Sequence, residues 1–396
     1  MTDSAFAALA DAYLLLGLRF DKHQPGVLDA HYGRASALKI TVDAEPVVPL
    51  DTLQRDAERI LSALADNASA RAAYIHKQTL ALKTMIEKKL GTSFSFRDEA
   101  RLCLGIDHIE RQDDAELLDA IAQLDAALPG SGNLSERFVQ WRKKFELHGD
   151  DLTRFINAAM LDAKRKTESL FRLPDNDVEV SLVRDKPWAG YHWYRGGFKS
   201  LYELNIDVPT TIWNVLHTTT HEAYCGHHTE AVVKESELVN HLGYDEFTMN
   251  LLGTPCSLIS EGVAEAAEHL IIGNVDATIE WLRQHQSLHG RDFTEHDAKI
   301  FRAMERLGRR AVVNAALLMH EEHASDEEVF AYLRRVSPSE SELIRRTIER
   351  LRDEAYRTYM LTYPIGKELV LRDLNTAKDK SAKFYEILKS IDYRFN

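Results

Sequence analysis

Helical periodicity fills most of the first 172 residues, and it constrains the fold more than any other feature of the sequence. Apolar side chains recur at helical spacing over Ser62–Lys89, over Asp113–Leu128 and again over Ser135–Phe171. The sequence PGSG at positions 129–132 ends the second of these helices. Helices joined by short turns predict a bundle-like region, which we assign to residues 1–172.

The next segment has the alternation that is typical of strands. Val178, Val180 and Leu182 alternate with polar residues, and a second strand is predicted over Phe198–Ile206. Between them lies a stretch rich in aromatic residues and glycine. We expect the two strands to form a small antiparallel sheet in an otherwise helical chain.

Helical signals return after this sheet. A helix is predicted to begin near Asp207–Thr210, which offers capping residues and a first-turn proline, and to run to His221. Another is predicted from Thr254 to Gly273, and the rest of the chain is helical again. The fold class is therefore mainly α, with residues 173–396 as a second region that we expect to pack with the first as one bilobal unit.

Composition narrows the possible partners and the location. The net charge of −13 disfavours nucleic acid, because an acidic surface repels phosphate. The first apolar stretch has no basic residues before it, and Asp3, Asp11 and Arg19 interrupt it, so it predicts an amphipathic helix rather than a signal peptide. No apolar run reaches the length of a membrane span. Three cysteines give no disulfide framework, and we expect a cytoplasmic protein with reduced thiols.

A histidine cluster carries the strongest chemical signal. The segment HTTTHEAYCGHHTE, from His217 to Glu230, holds four histidines within twelve positions, and Glu222 directly follows His221. Converging imidazoles bind zinc, and an adjacent carboxylate can take a proton from the attacking water. The alternative is a polar helix terminus with solvated histidines.

A row of glutamates follows some thirty residues later. In SEGVAEAAEHL, Glu261, Glu265 and Glu268 lie on one helical face among small residues. By themselves they could form a solvated face. Beside the histidine cluster, they suggest a carboxylate ligand and an acid that orients a ligand.

HEAYCGHH followed by SEGVAEAAE resembles a bacterial domain-of-unknown-function family with the motifs HExxPGHH and EGWA. That family is similar to gluzincin (zincin-like) metallopeptidases of the carboxypeptidase and oligopeptidase type. The resemblance extends from about Tyr194 to residues 362–374, where Tyr363, Ile365 and Gly366 match a Tyr-x-Ile-Gly pattern. It implies a multi-helix zincin-like fold around a deep cleft. The first 170 residues match no motif of the family.

Three positions depart from the family pattern. Cys225 replaces a proline, Val263 replaces a tryptophan, and Ala316 occupies a position that is commonly aspartate. The positions of the metal ligands and the base are retained. We therefore expect an active site whose pocket shape, and hence substrate choice, differs from that of the family.

The resemblance also implies residue roles. Glu222 would be the general base, and His221, His227 and Glu261 would bind one Zn²⁺ ion. Tyr363 or His320 would stabilise the oxyanion of the tetrahedral intermediate.

Spacing alone leaves the second histidine ligand open. The i+4 partner of His221 in a regular helix is Cys225, so His227 reaches the same metal only if the helix breaks at Gly226. The family proline at position 225 implies such a break, and we expect Cys225→Pro to leave metal binding intact. The alternative ligands are His228, Cys225 and His217.

These features predict a zinc-dependent hydrolase, with peptides as the expected substrate. Glu222 favours catalysis over binding alone, and the Phe198–Ile206 strand could pair with an extended peptide as a sheet edge. The alternatives are a metal-dependent amidase or esterase that acts on a small molecule, and a peptide-binding relative with weakened catalysis. A di-iron carboxylate site is excluded, because no histidine has a glutamate three positions before it. The sequence does not indicate the oligomeric state.

Overall fold

The structure is a computed structural model, and it describes residues 3–394. Helices dominate these residues, as the sequence predicts. The α-helices are α1 (Asp3–Asp21), α2 (Gly33–Ala44), α3 (Leu50–Leu64), α4 (Ala70–Lys89), α5 (Phe96–Glu99), α6 (Asp114–Ala127), α7 (Leu134–Lys143), α8 (Gly149–Leu170), α9 (Ile212–Glu222), α10 (His227–Lys234), α11 (Pro255–Ile271), α12 (Val275–Gln284), α13 (Gln286–His289), α14 (Glu295–Leu307), α15 (Arg310–His320), α16 (Asp326–Val336), α17 (Ser341–Arg352), α18 (Thr362–Thr376) and α19 (Lys380–Leu388). Two π-helical segments extend α5 and α10, at Ala100–Leu104 and Glu235–His241.

Two small sheets lie among the helices of the described chain. The strands are β1 (Leu28–His31), β2 (Asp177–Val183), β3 (Gly190–Gly196), β4 (Lys199–Asn205) and β5 (Met249–Leu251). β1 pairs with β5, and the larger sheet has the order β2-β4-β3. β3 and β4 are antiparallel, whereas β2 is parallel to β4.

The sequence predicts an antiparallel sheet, but the larger sheet is mixed. The aromatic-rich segment between the two predicted strands is itself a strand, β3, and it forms a hairpin with β4 around Gly196 and Gly197. Both glycines have positive φ, at 75° and 63°, as a tight turn requires. Because β3 occupies one edge of β4, β2 pairs with the other edge. β4 is therefore the central strand.

Two predicted helices are each interrupted by a short non-helical segment. The Ser62–Lys89 stretch is split into α3 and α4. The Ser135–Phe171 stretch is split into α7 and α8. In the segment between them, the Leu147 amide donates to the Thr210 carbonyl at 2.9 Å, and the Ile212 amide donates to the Phe145 carbonyl at 3.1 Å. These bonds anchor the start of α9, the helix that carries the first histidines of the cluster.

One hydrophobic core joins both predicted regions, with buried members from Phe6 to Leu388. Within it, α11 and α18 pack with their backbones in contact at Gly262 and Gly366. A Cβ atom on Gly262 would lie 2.6 Å from the Gly366 carbonyl oxygen, so only glycine fits this crossing. The boundary at residue 172 stays a prediction. Within residues 3–394, no helix combines the length and the apolar character that a membrane crossing requires.

Candidate metal centre

The helix that carries His221 breaks where the sequence predicts. α9 starts at a Thr211 cap, whose hydroxyl accepts from the Asn214 amide, and ends at Glu222. The chain then turns through Cys225, at φ 77°, and Gly226, and α10 begins at His227. A Cβ atom on Gly226 would lie 1.9 Å from the His221 carbonyl oxygen. This close approach lets two histidines six positions apart face the same point.

Three ligand atoms converge beside the break. Glu261 Oε2 lies 3.3 Å from His221 Nε2 and 3.8 Å from His227 Nε2, and the three residues form a group able to hold a metal ion. Donors about 2.1 Å from a tetrahedral zinc ion are separated by roughly 3.4 Å. The spacing of these atoms therefore fits zinc.

Unpaired buried atoms support the same fit. Glu261 Oε2 and His221 Nδ1 are buried and have no hydrogen-bond partner within residues 3–394. Buried polar atoms are rarely left without a partner, because the desolvation cost is then uncompensated. A cation at the convergence point would satisfy the carboxylate oxygen directly.

A chain of polar contacts orients His227. Its Nδ1 lies 3.1 Å from the Ser260 hydroxyl, which donates to Glu230 at 2.5 Å. Lys234 donates to the same carboxylate at 2.6 Å. Although burial alone would raise it, the pKa of Glu230 is lowered to about 2 by Lys234, His227 and Ser260. An ionised Glu230 behind Ser260 keeps His227 Nε2 directed at the centre.

Glu265 lies on the other side of His221. Its Oε1 is 3.9 Å from His221 Nδ1 and 3.7 Å from His217 Nε2. His217 also contacts Glu268 at 3.3 Å. Burial opposes the charged imidazole, but the two carboxylates raise the pKa of His217 to about 10. His217, His221 and Glu265 form a second group that could hold a metal ion.

Glu222, the predicted base, sits between the centre and β3. Its Oε1 would lie 2.9 Å from a Cβ atom on Gly190, so the absence of a side chain there makes room for it. Its carboxyl group is buried. Burial raises the pKa of Glu222, Glu261 and Asp29 add to the rise, and the imidazoles of His221 and His227 oppose it.

A tyrosine that the sequence analysis missed holds Glu261, the predicted carboxylate ligand. The Tyr359 hydroxyl donates to Glu261 Oε1 at 2.5 Å, which leaves Oε2 for the histidine side. Its ring contacts Tyr363 edge-on, with centroids 5.7 Å apart. Tyr359 lies four residues before Tyr363, and that spacing was the available signal.

Tyr363 borders the centre. Its ring centroid is 6.4 Å from that of His221, and the Arg309 guanidinium lies 4.4 Å from it on the ring face. Burial raises the pKa of Tyr363, and the Glu261 charge adds to the rise, so the phenol keeps its proton.

His320, the alternative to Tyr363, is held elsewhere. Its Nε2 is 2.7 Å from the Leu351 carbonyl oxygen, and its ring stacks on Phe96 at 4.7 Å. Neither contact involves the metal-capable residues. Its environment is that of a packed structural histidine, which corrects the role that the resemblance implies.

His228 and Cys225 also differ from their roles as alternative ligands. His228 is fully buried, with Nδ1 2.7 Å from Ser200 Oγ and Nε2 3.1 Å from Asn176 Oδ1, so both ring nitrogens are engaged. Cys225 is buried too, and burial raises the pKa of its thiol, which disfavours the thiolate that binds metal. Both residues are held apart from the convergence point.

The backbone at Cys225 also contradicts the expectation that proline is tolerated there. Proline is confined to φ near −65°, whereas Cys225 has φ 77°. Proline would also remove the amide that donates to Thr229 Oγ1 at 2.8 Å. Cys225→Pro should therefore disturb the break that brings His227 to the centre.

A second polar pair closes the site beside β1. The Tyr191 hydroxyl donates to Asp29 Oδ1, and Asn250 donates to Asp29 Oδ2 at 2.8 Å. Burial raises the pKa of Asp29, although Tyr191, His227 and Asn250 oppose the rise. Asp29, too, was not predicted from the sequence, because a lone acid in a short strand gives no pattern.

Comparison with known proteins gives structural likenesses only. No family model matches the chain, and no curated protein matches it. A solved structure described as a "putative lipoprotein" from Colwellia psychrerythraea matches with a TM-score of 0.54 at 15% identity, over 91% of this chain and 63% of that one. This chain therefore spans less than two thirds of the length of that protein.

Two further solved structures match more weakly. One is described as a "putative lipoprotein of unknown function" from Shewanella oneidensis, with a TM-score of 0.48, 11% identity, and coverage of 87% of this chain and 71% of that one. The other is an M32 carboxypeptidase from Deinococcus radiodurans R1, with a TM-score of 0.47, 12% identity, and coverage of 97% and 89%. At such identities, the likeness to the Colwellia protein establishes a shared fold and leaves function to the geometry of the site.

Proposed function

We propose that this protein is a zinc-dependent hydrolase that cleaves peptides. The observation that carries the proposal is the convergence of His221 Nε2, His227 Nε2 and Glu261 Oε2 beside the buried Glu222 carboxyl. Two imidazoles with one carboxylate suit zinc better than magnesium or calcium, which prefer oxygen donors. When bound, zinc supplies Lewis-acid polarisation of water and of the substrate carbonyl.

Glu222 and Tyr363 supply the protein's own chemistry in this proposal. Glu222 takes a proton from the attacking water and returns it to the amine as the C–N bond breaks. Tyr363, which keeps its proton, donates a hydrogen bond to the oxygen on which negative charge develops. Ser260 holds His227 in the orientation that catalysis needs, and the Glu265 carboxylate lies beside His221.

The position of β3 supports a peptide substrate. The predicted docking strand, β4, lies at the centre of its sheet and has no free edge for a peptide. β3 is instead an edge strand of that sheet, and its first residue, Gly190, adjoins Glu222. An extended peptide that pairs with β3 would pass the base with its backbone.

Metal analysis combined with two substitutions tests the proposal. Protein purified without chelator should hold about one zinc ion per chain, as expected of a single three-ligand site. Glu222→Gln should retain zinc and lose roughly 10²–10⁴-fold in hydrolysis of a peptide library. Glu261→Ala should lose zinc. Glu280→Gln, a change of an exposed glutamate on α12, serves as the matched control and should change neither property.

Two results would overturn the assignment. One is the persistent absence of zinc from folded protein after zinc is added. The other is full metal content and full activity in both Glu222→Gln and Glu261→Ala. Hydrolysis that survives removal of the metal by a chelator would likewise refute a zinc mechanism.

A further inference from the structure

We propose that Arg309 forms an anion-binding subsite beside the metal centre and that this subsite holds a carboxylate of the substrate. The inference rests on the proposed peptidase function and names the class of peptide that the site prefers. It starts from a cation that faces the centre without a hydrogen-bonded partner.

Arg309 lies in the turn between α14 and α15, and its side chain is 51% exposed. Its guanidinium packs on the face of Tyr363, 4.4 Å from the ring centroid. The Tyr363 ring in turn lies 6.4 Å from that of His221. Arg309 therefore packs on the same aromatic ring that borders a metal-capable histidine, and solvent reaches its side chain.

The Arg309 guanidinium has N–H donors available to a ligand. Its contact with an acid is with Glu265 Oε1, at 3.8 Å, which is too long for a hydrogen bond. No hydrogen bond of the Arg309 side chain occurs in the part of the chain that the structure describes, and Glu265 Oε1 is likewise unpaired there. Glu265 also faces His217 at 3.7 Å and Lys367 at 3.8 Å. One carboxylate shared among three cations leaves the five donors of Arg309 available.

Lys367 strengthens the positive potential of this side. It lies four residues after Tyr363, so the two share one face of α18. Its charge is partly offset by Glu268 and Glu305, whose carboxyl groups interact with it. We therefore assign the direct contact to Arg309 and a supporting role to Lys367.

The ligand chemistry follows from the guanidinium. Its planar fork matches the two oxygens of a carboxylate, and its weak hydration favours such pairs. A C-terminal carboxylate one residue beyond the scissile bond lies within about 3.6 Å of that bond. Glu265 shows that one carboxylate can lie near both Arg309 and a metal-capable histidine, since its Oε1 is 3.9 Å from His221 Nδ1 and 3.8 Å from Arg309. An acidic side chain of the substrate could offer the same chemistry.

Binding and kinetics with matched peptides test the subsite. Three sets of N-acetylated tripeptides are compared: peptides with a free C terminus, their C-terminal amides, and amides that contain a glutamate. Each peptide is titrated calorimetrically into chelator-treated protein and assayed as a substrate of zinc-loaded protein. The proteins are wild type, Arg309→Gln, Arg309→Lys and Arg306→Gln. Arg306 is the matched control, because it lies on α14 and pairs with Asp119 at 2.8 Å. Zinc content is measured for each.

We expect capping of the C terminus to weaken binding to wild type and Arg306→Gln by about 10- to 100-fold, the effect of losing a charged hydrogen bond. Arg309→Gln should remove this preference and retain zinc, and Arg309→Lys should keep part of it. If the glutamate-containing amides recover the affinity that capping removes, the bound carboxylate is that of a side chain. If they do not, it comes from the C terminus.

The subsite is refuted if wild type binds capped and free peptides equally, binds none of them, or keeps its preference in Arg309→Gln. A preference in binding without hydrolysis by zinc-loaded protein would refute the peptidase function alone. Hydrolysis without any carboxylate preference would refute the subsite alone.

Discussion

Gly226→Ala should weaken metal binding by displacing the turn that positions His227. The added Cβ atom would lie 1.9 Å from the His221 carbonyl oxygen and 2.5 Å from that of Thr220. Relief requires the turn to move by roughly 1 Å, whereas functional constellations tolerate about 0.5 Å. Because His227 follows Gly226 directly, this displacement carries one ligand away from the others.

We expect the variant to bind zinc about 100-fold more weakly, or worse, since substitutions that merely disturb the outer shell of a zinc site cost 10- to 100-fold. The assay is competition for zinc against a chromogenic chelator, together with thermal unfolding of the metal-free protein. Gly91→Ala is the control, because Gly91 has φ 99° but open space around it. That change should cost about 1–2 kcal/mol of stability through backbone strain and leave zinc affinity unchanged.

Wild-type zinc affinity in a folded Gly226→Ala protein would refute the geometry of the break. So would equal loss of affinity in Gly91→Ala, because the effect would then reflect general destabilisation. If Gly226→Ala fails to fold, His227→Ala removes the same ligand without the clash and should lose zinc on its own.

Two further changes probe contacts outside the ligand set. Tyr359→Phe removes the donor to Glu261 Oε1 and should weaken zinc binding about 10-fold or more. The control, Tyr385→Phe, loses a 3.3 Å contact with Glu237 and should keep its zinc affinity. Equal zinc affinities of the two variants would show that Tyr359 does not position Glu261. Asp162 is the second target: burial opposes its charge, but Trp281 and neighbouring cations lower its pKa below the ordinary 3.8. Its contribution is therefore present above that value and is lost as pH falls through the folded pKa. Urea unfolding should show Asp162→Asn less stable than wild type at pH 6, with a difference that shrinks as the pH is lowered below 3.8; a constant difference would contradict this.

The sequence was most informative where the residue spacing of a short motif could be compared with helix geometry. Two histidines six positions apart cannot share a metal on a regular helix, so a break at Gly226 follows from helix geometry alone. The structure contains that break. The helix α6 was likewise predictable, because Asp113 caps it and PGSG follows it.

Other features depend on contacts between distant residues, and local patterns do not encode them. The partner of β2 was mispredicted because strand order is set by tertiary packing, and β1 and β5 are too short for alternation to be recognised. The hydrogen bond from Tyr359 to Glu261 joins residues 98 positions apart. His320 was assigned by resemblance, and its carbonyl partner lies 31 positions along the chain.

The glycine crossing of α11 and α18 bears on how the protein is made. Glu261 emerges from the ribosome about a hundred residues before Tyr359, the residue that holds its carboxylate, and before Gly366, which covers its helix at Gly262. Until Tyr359 and Gly366 have been translated, the proposed carboxylate ligand lacks its hydrogen-bond donor and its helix lacks its cover. The proposed centre would therefore mature late in synthesis, and a nascent chain that stalls before residue 359 would carry the histidines and Glu261 without the donor that positions this carboxylate.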